Sequence, residues 1–146
     1  MAYSGRFIPI NPKKYTGDVN KIFFRSLWER SVMVRLDTWD AVLEWCSEEI
    51  WIPYKSPIDN KMHHYYPDFE VLLKTPSGNK KAILEVKPYK QTIEPKKPKK
   101  VTKRYIGEVM EFGKNQAKWS YARAWCANKG MEFIVLTEKE IFGKKV

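Results

Sequence analysis

The stretch Tyr66-Pro67-Asp68-Phe69-Glu70-Val71-Leu72-Leu73-Lys74, then Thr75-Pro76-Ser77-Gly78-Asn79, then Lys80-Lys81-Ala82-Ile83-Leu84-Glu85-Val86-Lys87, decides how this chain folds. Two runs of strand formers flank a cluster of turn residues, which predicts a β-hairpin. Alternate side chains of a strand share a face. Tyr66, Asp68, Glu70 and Leu72 fall together on the first strand, and Ile83, Glu85 and Lys87 on the second. Pairing the strands with those faces turned the same way puts Asp68, Glu85 and Lys87 side by side. Two acids and a lysine on a half-buried sheet are costly without a partner, because each charge must leave water. A hard divalent cation such as Mg²⁺ suits the carboxylate oxygens, and the lysine is then free to face a phosphate.

Around that hairpin, 146 residues suffice for one domain with one core, and 43% hydrophobic with 14% aromatic content predicts a packed globule. No run approaches the roughly 18 apolar residues of a membrane span, and Met1 to Arg6 lack the apolar region of a signal peptide. The two cysteines, Cys46 and Cys126, lie in helix-like surroundings and read as reduced core thiols. A net charge of +10, from 27 Lys and Arg against 17 Asp and Glu, favours an acidic polymer as partner, most often nucleic acid.

Residues 1–19, with Pro9, Pro12 and Gly17, form an arm that Phe7, Ile8 and Ile10 anchor to the body. A helix is expected from Asn20 to about Asp37, with Ile22, Ser26, Glu29, Met33 and Leu36 along one inward side and Phe23, Leu27 and Val34 beside them. Asp37 or Thr38 then caps a short second helix carrying Trp39, Val42, Leu43 and Cys46. Glu49 to Tyr54 reads as a strand closed by Pro53, Ser56 to Asn60 as a turn, and His63 and His64 as loop residues near DNA. Residues 88–104 form a basic flap: Lys90, Lys96, Lys97, Lys99, Lys100, Lys103 and Arg104 face a single acid, Glu94, and three prolines preclude regular structure. Such lysines grip phosphates without reading sequence. Helical pattern resumes near Thr102, is clearest from Asn115 to Lys129, and stops at Gly130. Ala117, Tyr121, Ala124 and Trp125 are its expected packing stripe, with Gln116, Lys118, Ser120 and Arg123 on a polar side. Glu132 to Thr137 is a strand, and Thr137-Glu138-Lys139-Glu140 a capping box. The order helix, helix, three strands, helix, strand, helix predicts an α/β fold around a mixed sheet.

Pro67-Asp68, then Glu85-Val86-Lys87, with Glu29 on an upstream helix, resembles the PD-(D/E)xK nuclease pattern. Arg25-Ser26-Leu27-Trp28-Glu29-Arg30, Tyr65-Tyr66-Pro67-Asp68-Phe69, Glu85-Val86-Lys87-Pro88, Asn115-Gln116-Ala117-Lys118-Trp119 and Glu132 to Glu138 resemble the head-completion nucleases of T-even-type tailed phages. The chain is also similar to the N-terminal nuclease domain of TnsA-type transposition endonucleases. The resemblance implies a restriction-endonuclease-like core and a late assembly protein with Mg²⁺-dependent (or Mn²⁺-dependent) endonuclease activity. Such a protein acts on double-stranded DNA after packaging, at the portal vertex of the filled head. It has portal or head-vertex proteins as partners, and it is found in the host cytoplasm during assembly and in the virion head. By carry-over, Asp68 and Glu85 are the metal-binding acids, Lys87 the catalytic lysine and Glu29 the helix acid completing the site. Gln116 matches a polar residue that some members place on the following helix, with Lys118 beside it as a DNA contact. TnsA-like relatives carry glutamine where Glu85 stands. A non-enzymatic plug that holds DNA ends against the portal is the alternative.

Overall fold

The structure, a computed structural model, describes residues 3–143. Short strands β1 (Gly5–Arg6) and β2 (Phe23–Phe24) pair antiparallel, and helix α1 (Leu27–Thr38) follows. Then come β3 (Val42–Ser47), β4 (Ile52–Lys55), β5 (Met62–Tyr65), β6 (Phe69–Thr75) and β7 (Gly78–Val86). Helix α2 (Lys103–Asn128), strand β8 (Glu132–Leu136) and the one-turn helix α3 (Glu138–Ile141) complete the order. The central sheet runs β3-β6-β7-β8, antiparallel except for the parallel β7/β8 pair. It is a mixed sheet flanked by helices, as expected. The β7-to-β8 crossover is carried by α2, the element a parallel connection needs.

The hairpin forms as the sequence predicts. Thr75 pairs with Gly78 across Pro76-Ser77, and Gly78 has a φ of 116°, which a residue with a Cβ rarely adopts. From there the register runs to Phe69 opposite Leu84. Phe69, Val71, Ala82 and Leu84 turn toward α1 and join Ile22, Met33, Leu36 and Trp45 in one core cluster. A second cluster, Ile52, Tyr54, Tyr65, Trp119 and Ala122 with Phe133 and Val135, joins α2 to the small β4/β5 sheet and to β8.

Several expectations need correction. The first helix begins at Leu27, not Asn20: Phe23 and Phe24 are strand formers held by β1, and Ser26 caps the helix by accepting from the Glu29 N–H. Its buried side is Val32, Met33, Leu36 and Asp37, while Phe23 and Leu27 are exposed. The second helix does not form. Residues 42–47 are the edge strand β3, with a register shift between Val42 and Glu44; Val42 opposite Leu73 and Cys46 opposite Glu70 fall on opposite faces, and Trp39 is exposed. Asp37 caps nothing there; buried, it accepts from the Ile10 and Asn11 N–H groups and clamps the arm, with Phe7 buried but Ile8 and Ile10 exposed. Pro53 lies within β4, opposite His64 in a two-stranded sheet where a missing N–H is tolerated. His63 and His64 belong to strand β5. His63 pairs with Asp59, and His64 stacks on Trp51 at 4.0 Å between ring centroids. Helix α2 is continuous through Gly107 and Gly113, and its buried residues are Asn115, Trp119, Ala122 and Cys126; Tyr121 and Ala124 are exposed. Lys103 and Arg104, expected in the flap, form the first turn of α2. Gly130, with φ 69°, ends the helix, and the Met131 N–H returns to the Cys126 carbonyl. The Thr137 capping box is present, and both cysteines are buried and free.

Candidate active site

The β6/β7 register, continued by one pair beyond Phe69 and Leu84, sets Asp68 opposite Glu85. Cross-strand partners share a face, and Lys87 follows on the same side one alternation later. The Lys87 Nζ is 3.9 Å from a Glu85 oxygen. Pro67, fully buried, starts the turn into β6, and the Asp68 carboxylate accepts from the Val86 N–H at 2.7 Å, which bolts it across the hairpin. Glu85 accepts from the Tyr65 hydroxyl, also at 2.7 Å.

Glu29 reaches this end of the sheet from the first turn of α1. Its carboxylate accepts from the Arg25 N–H, so the helix start fixes both its backbone and its side chain. A fourth acid is present that sequence reasoning missed. Glu48, just beyond β3, has a φ of 56° and donates its N–H to the Asp68 carbonyl. One carboxylate oxygen from each of Glu29, Glu48 and Asp68 lies within 4.8 Å of the others. Arg25 reaches the Glu48 carboxylate at 2.8 Å from a largely exposed position. Nothing in the local sequence marks Glu48; a strand end that the sequence reads as a helix cannot announce what it faces. Tyr65 is a second site residue that sequence reasoning missed, although it stands inside the Tyr65-Tyr66-Pro67-Asp68-Phe69 motif.

Crowding of these acids perturbs them. Burial, then the neighbouring Glu85 charge, raises Asp68 well above the usual carboxylate range. Burial also raises Glu85, opposed by the Tyr65 hydrogen bond and by Lys87. Glu29 is raised by burial, against the stabilising Arg25 N–H. From α2, Lys118 reaches over the Tyr54 and Tyr65 rings; burial and then Lys114 lower its pKa while Glu85 opposes the shift. Gln116 lies partly buried on the same helix, with no hydrogen bond to the acids among the described residues. Lys90, Lys96, Lys97, Lys99, Lys100, Lys103 and Arg104 are all exposed; Arg104 pairs with Glu108 at 3.5 Å. The start of the flap is pinned, because the Tyr89 N–H donates to Glu138 and the Lys139 ammonium covers the Tyr89 ring at 3.5 Å.

The donor set suits a hard cation. Oxygens bound to one Mg²⁺ at about 2.1 Å stand no more than about 4.2 Å apart, and Ca²⁺ or Mn²⁺ tolerates wider spacing. The oxygens of Glu29, Glu48 and Asp68, within 4.8 Å of one another, lie close to that range. The compact triad includes Asp68 but not Glu85, whose oxygens are held by Tyr65 and Lys87.

The family described as TnsA-like endonuclease N terminal matches residues 40–138, more than half of the chain. The head completion nuclease of Enterobacteria phage T4 is 37% identical over 142 residues, covering 94% of this chain and 93% of that protein. The matched span contains β3 to β8 with Glu48, Tyr65, Asp68, Glu85 and Lys87 on the face just described. This chain belongs to the TnsA-like endonuclease N-terminal family and, over nearly its whole length, is kin to the phage head completion nucleases.

Proposed function

We propose that the protein is a divalent-metal-dependent DNA endonuclease of phage head completion, acting after packaging at the portal vertex of the filled head. The supporting observation is the convergence of Asp68, Glu85 and Lys87 at one sheet end with Glu29 and Glu48 beside them. Four carboxylates crowded there, three of them with raised pKa values, are poorly stabilised by the protein alone. Mg²⁺ or Mn²⁺ held by Asp68 with Glu29, Glu48 or Glu85 would supply a Lewis acid for the scissile phosphate. Asp68, fixed by the Val86 N–H, contributes a preset oxygen. Glu85, oriented by Tyr65, holds Lys87 at the mouth, where its ammonium offsets negative charge growing on the phosphate. Lys118 offers a second cation on the α2 side. The exposed lysines of the flap would bind backbone phosphates and hold the duplex in place.

The role in head completion rests on kinship with the T4 protein, and the portal partner on the motif resemblance alone. The protein would work in the host cytoplasm during assembly and remain in the virion head. Purified protein should nick supercoiled plasmid in Mg²⁺ and not in chelator, and Asp68→Ala and Lys87→Ala should each lose at least about a hundredfold in rate. Absence of cleavage under Mg²⁺ and Mn²⁺ would sink the enzymatic reading. Complementation of defective particles by Asp68→Ala then separates cutting from assembly. Normal particles would make the chemistry dispensable for head completion.

A further inference from the structure

Strands β4 and β5 form a two-stranded ribbon with two unlike faces. On the inner face Ile52, Tyr54 and Tyr65 are buried and pack with Trp119 and Ala122 of α2. Alternate residues of a strand turn the other way. The outer face therefore carries Trp51, Pro53 and Lys55 from one side and Met62, His64 and Tyr66 from the other, and all six are exposed. Lys55 pairs with Met62 and Pro53 with His64, and one step further along the register sets Trp51 opposite Tyr66. Trp51 and His64 stack at 4.0 Å between ring centroids, and the Tyr66 ring meets His64 at a steep angle at 6.3 Å. Trp51 remains 47% exposed, as a ring covered on one face only would be, and Tyr66 is 52% exposed.

The foot of this face lies at the acid cluster. Trp51 stands three residues after Glu48 and Tyr66 two residues before Asp68, at most about 11 Å and 7 Å of chain. A contiguous exposed aromatic face marks a binding surface, and its position indicates the occupant. A DNA strand whose phosphate lies at Asp68 and Lys87 brings its next nucleotides within reach of Trp51 and Tyr66. A protein seated on those rings would crowd the approach to the acids. Charge agrees, because the six positions include Lys55 and no carboxylate, on a chain of net charge +10. Aromatic rings take nucleic acid by the flat faces of its bases, whatever the base. In an intact duplex neighbouring base pairs cover those faces, and unstacking is cheapest where a base is already unpaired.

We propose that the outer face of the β4/β5 ribbon is a stacking platform for unpaired bases of single-stranded DNA flanking the phosphate to be cut. The inference rests on the reading of the protein as a DNA-cleaving enzyme. The basic flap then holds duplex by its phosphates, while the ribbon favours substrates with a single-stranded flank, such as an overhanging end or a gap, over uniform duplex.

The test is fluorescence anisotropy, in chelator, of the full chain with a labelled blunt hairpin duplex and with the same duplex carrying about eight thymidines on its 3′ or its 5′ end. The better tailed form should bind at least about fivefold tighter than the blunt one. A tail of equal length made of abasic sugar phosphates keeps the charge but not the bases, and it should lose most of that gain. Trp51→Ala and Tyr66→Ala should each lose most of it too, while binding the blunt duplex as the parent does, which also shows that they fold. Tyr66→Phe keeps the ring and should keep the gain. The inference is overturned if blunt and tailed duplexes bind alike, or if the abasic tail binds as well as thymidines. It is also overturned if both alanine variants retain the preference, an outcome that assigns the face to a protein partner. Chelator makes these results independent of cleavage. A protein that nicks plasmid without preferring tails refutes this inference alone. One that prefers tails through these rings but never nicks refutes the nuclease reading alone.

Discussion

Asp68 carries two opposed demands. It must lose its proton to hold a cation, yet burial and the Glu85 charge favour the protonated form. Its folded pKa lies above the unfolded one, so the folded state retains a proton that the unfolded chain releases. Without metal, stability is greatest below the ordinary Asp value, about 3.9, and falls as pH rises through the raised folded value. Asp68→Asn removes that penalty while keeping an acceptor for the Val86 N–H. In chelator near neutral pH it should melt several degrees higher than the parent, each kcal/mol being worth about 2–8 °C, and the gap should close as pH falls toward 4 (about the ordinary Asp value). Calorimetry across pH checks this; a lower melting point at neutral pH refutes it. Glu48 makes a separate prediction. If it shares the cation with Glu29 and Asp68, Glu48→Gln should weaken Mn²⁺ binding by about tenfold in titration calorimetry while leaving the fold intact. Unchanged affinity would reduce Glu48 to the counter-charge of Arg25. Of these residues Asp68, Glu85, Lys87 and Glu29 are legible in sequence, because strand alternation and helical spacing assign faces. Glu48 and Tyr65 are not, because each meets the site from an element whose place in space is set by distant packing.

At the scale of the element, helix α1 shows how a cap positions a functional side chain. Ser26 accepts from the Glu29 N–H while the Glu29 carboxylate accepts from the Arg25 N–H. The motif Ser26-Leu27-Trp28-Glu29 has the spacing of a capping box, yet helical periodicity alone carries the expected start back to Asn20. Ser26→Ala should lower stability by about 1 kcal/mol, read as a smaller urea midpoint with unchanged slope. It should also weaken metal affinity, which a cap acting only on stability would leave alone. Strand β3 teaches the converse. Trp39, Val42, Leu43 and Cys46 match a helix in isolation, but β6 takes residues 42–47 as its antiparallel neighbour, which splits Val42 and Cys46 between the two faces. Local pattern yields to the pairing of a central strand.

For the whole molecule, charge and topology act together. The surplus of +10 is not spread evenly: Lys96, Lys97, Lys99 and Lys100 lie exposed in the segment that leaves the site and returns to α2. Replacing those four by glutamine should weaken DNA binding and flatten its dependence on salt by about 0.9 logarithmic units for each phosphate no longer neutralised. An unchanged slope would assign the flap to another partner. No helix among the described residues is long and apolar enough to cross a membrane.

By itself the sequence determined the hairpin, its turn, the shared face of Asp68, Glu85 and Lys87, the inward Glu29, the stop at Gly130 and the cap at Thr137. Each is governed by backbone preference or periodicity within a few residues. Only the tertiary structure decided that residues 42–47 are a strand, that His63 and His64 lie on one, and that Glu48 and Tyr65 reach the acids. It also decided that Asn115 is buried within α2's packed side. These depend on which elements pack together across tens of residues, where the burial of a core outweighs the small energies that distinguish one local conformation from another.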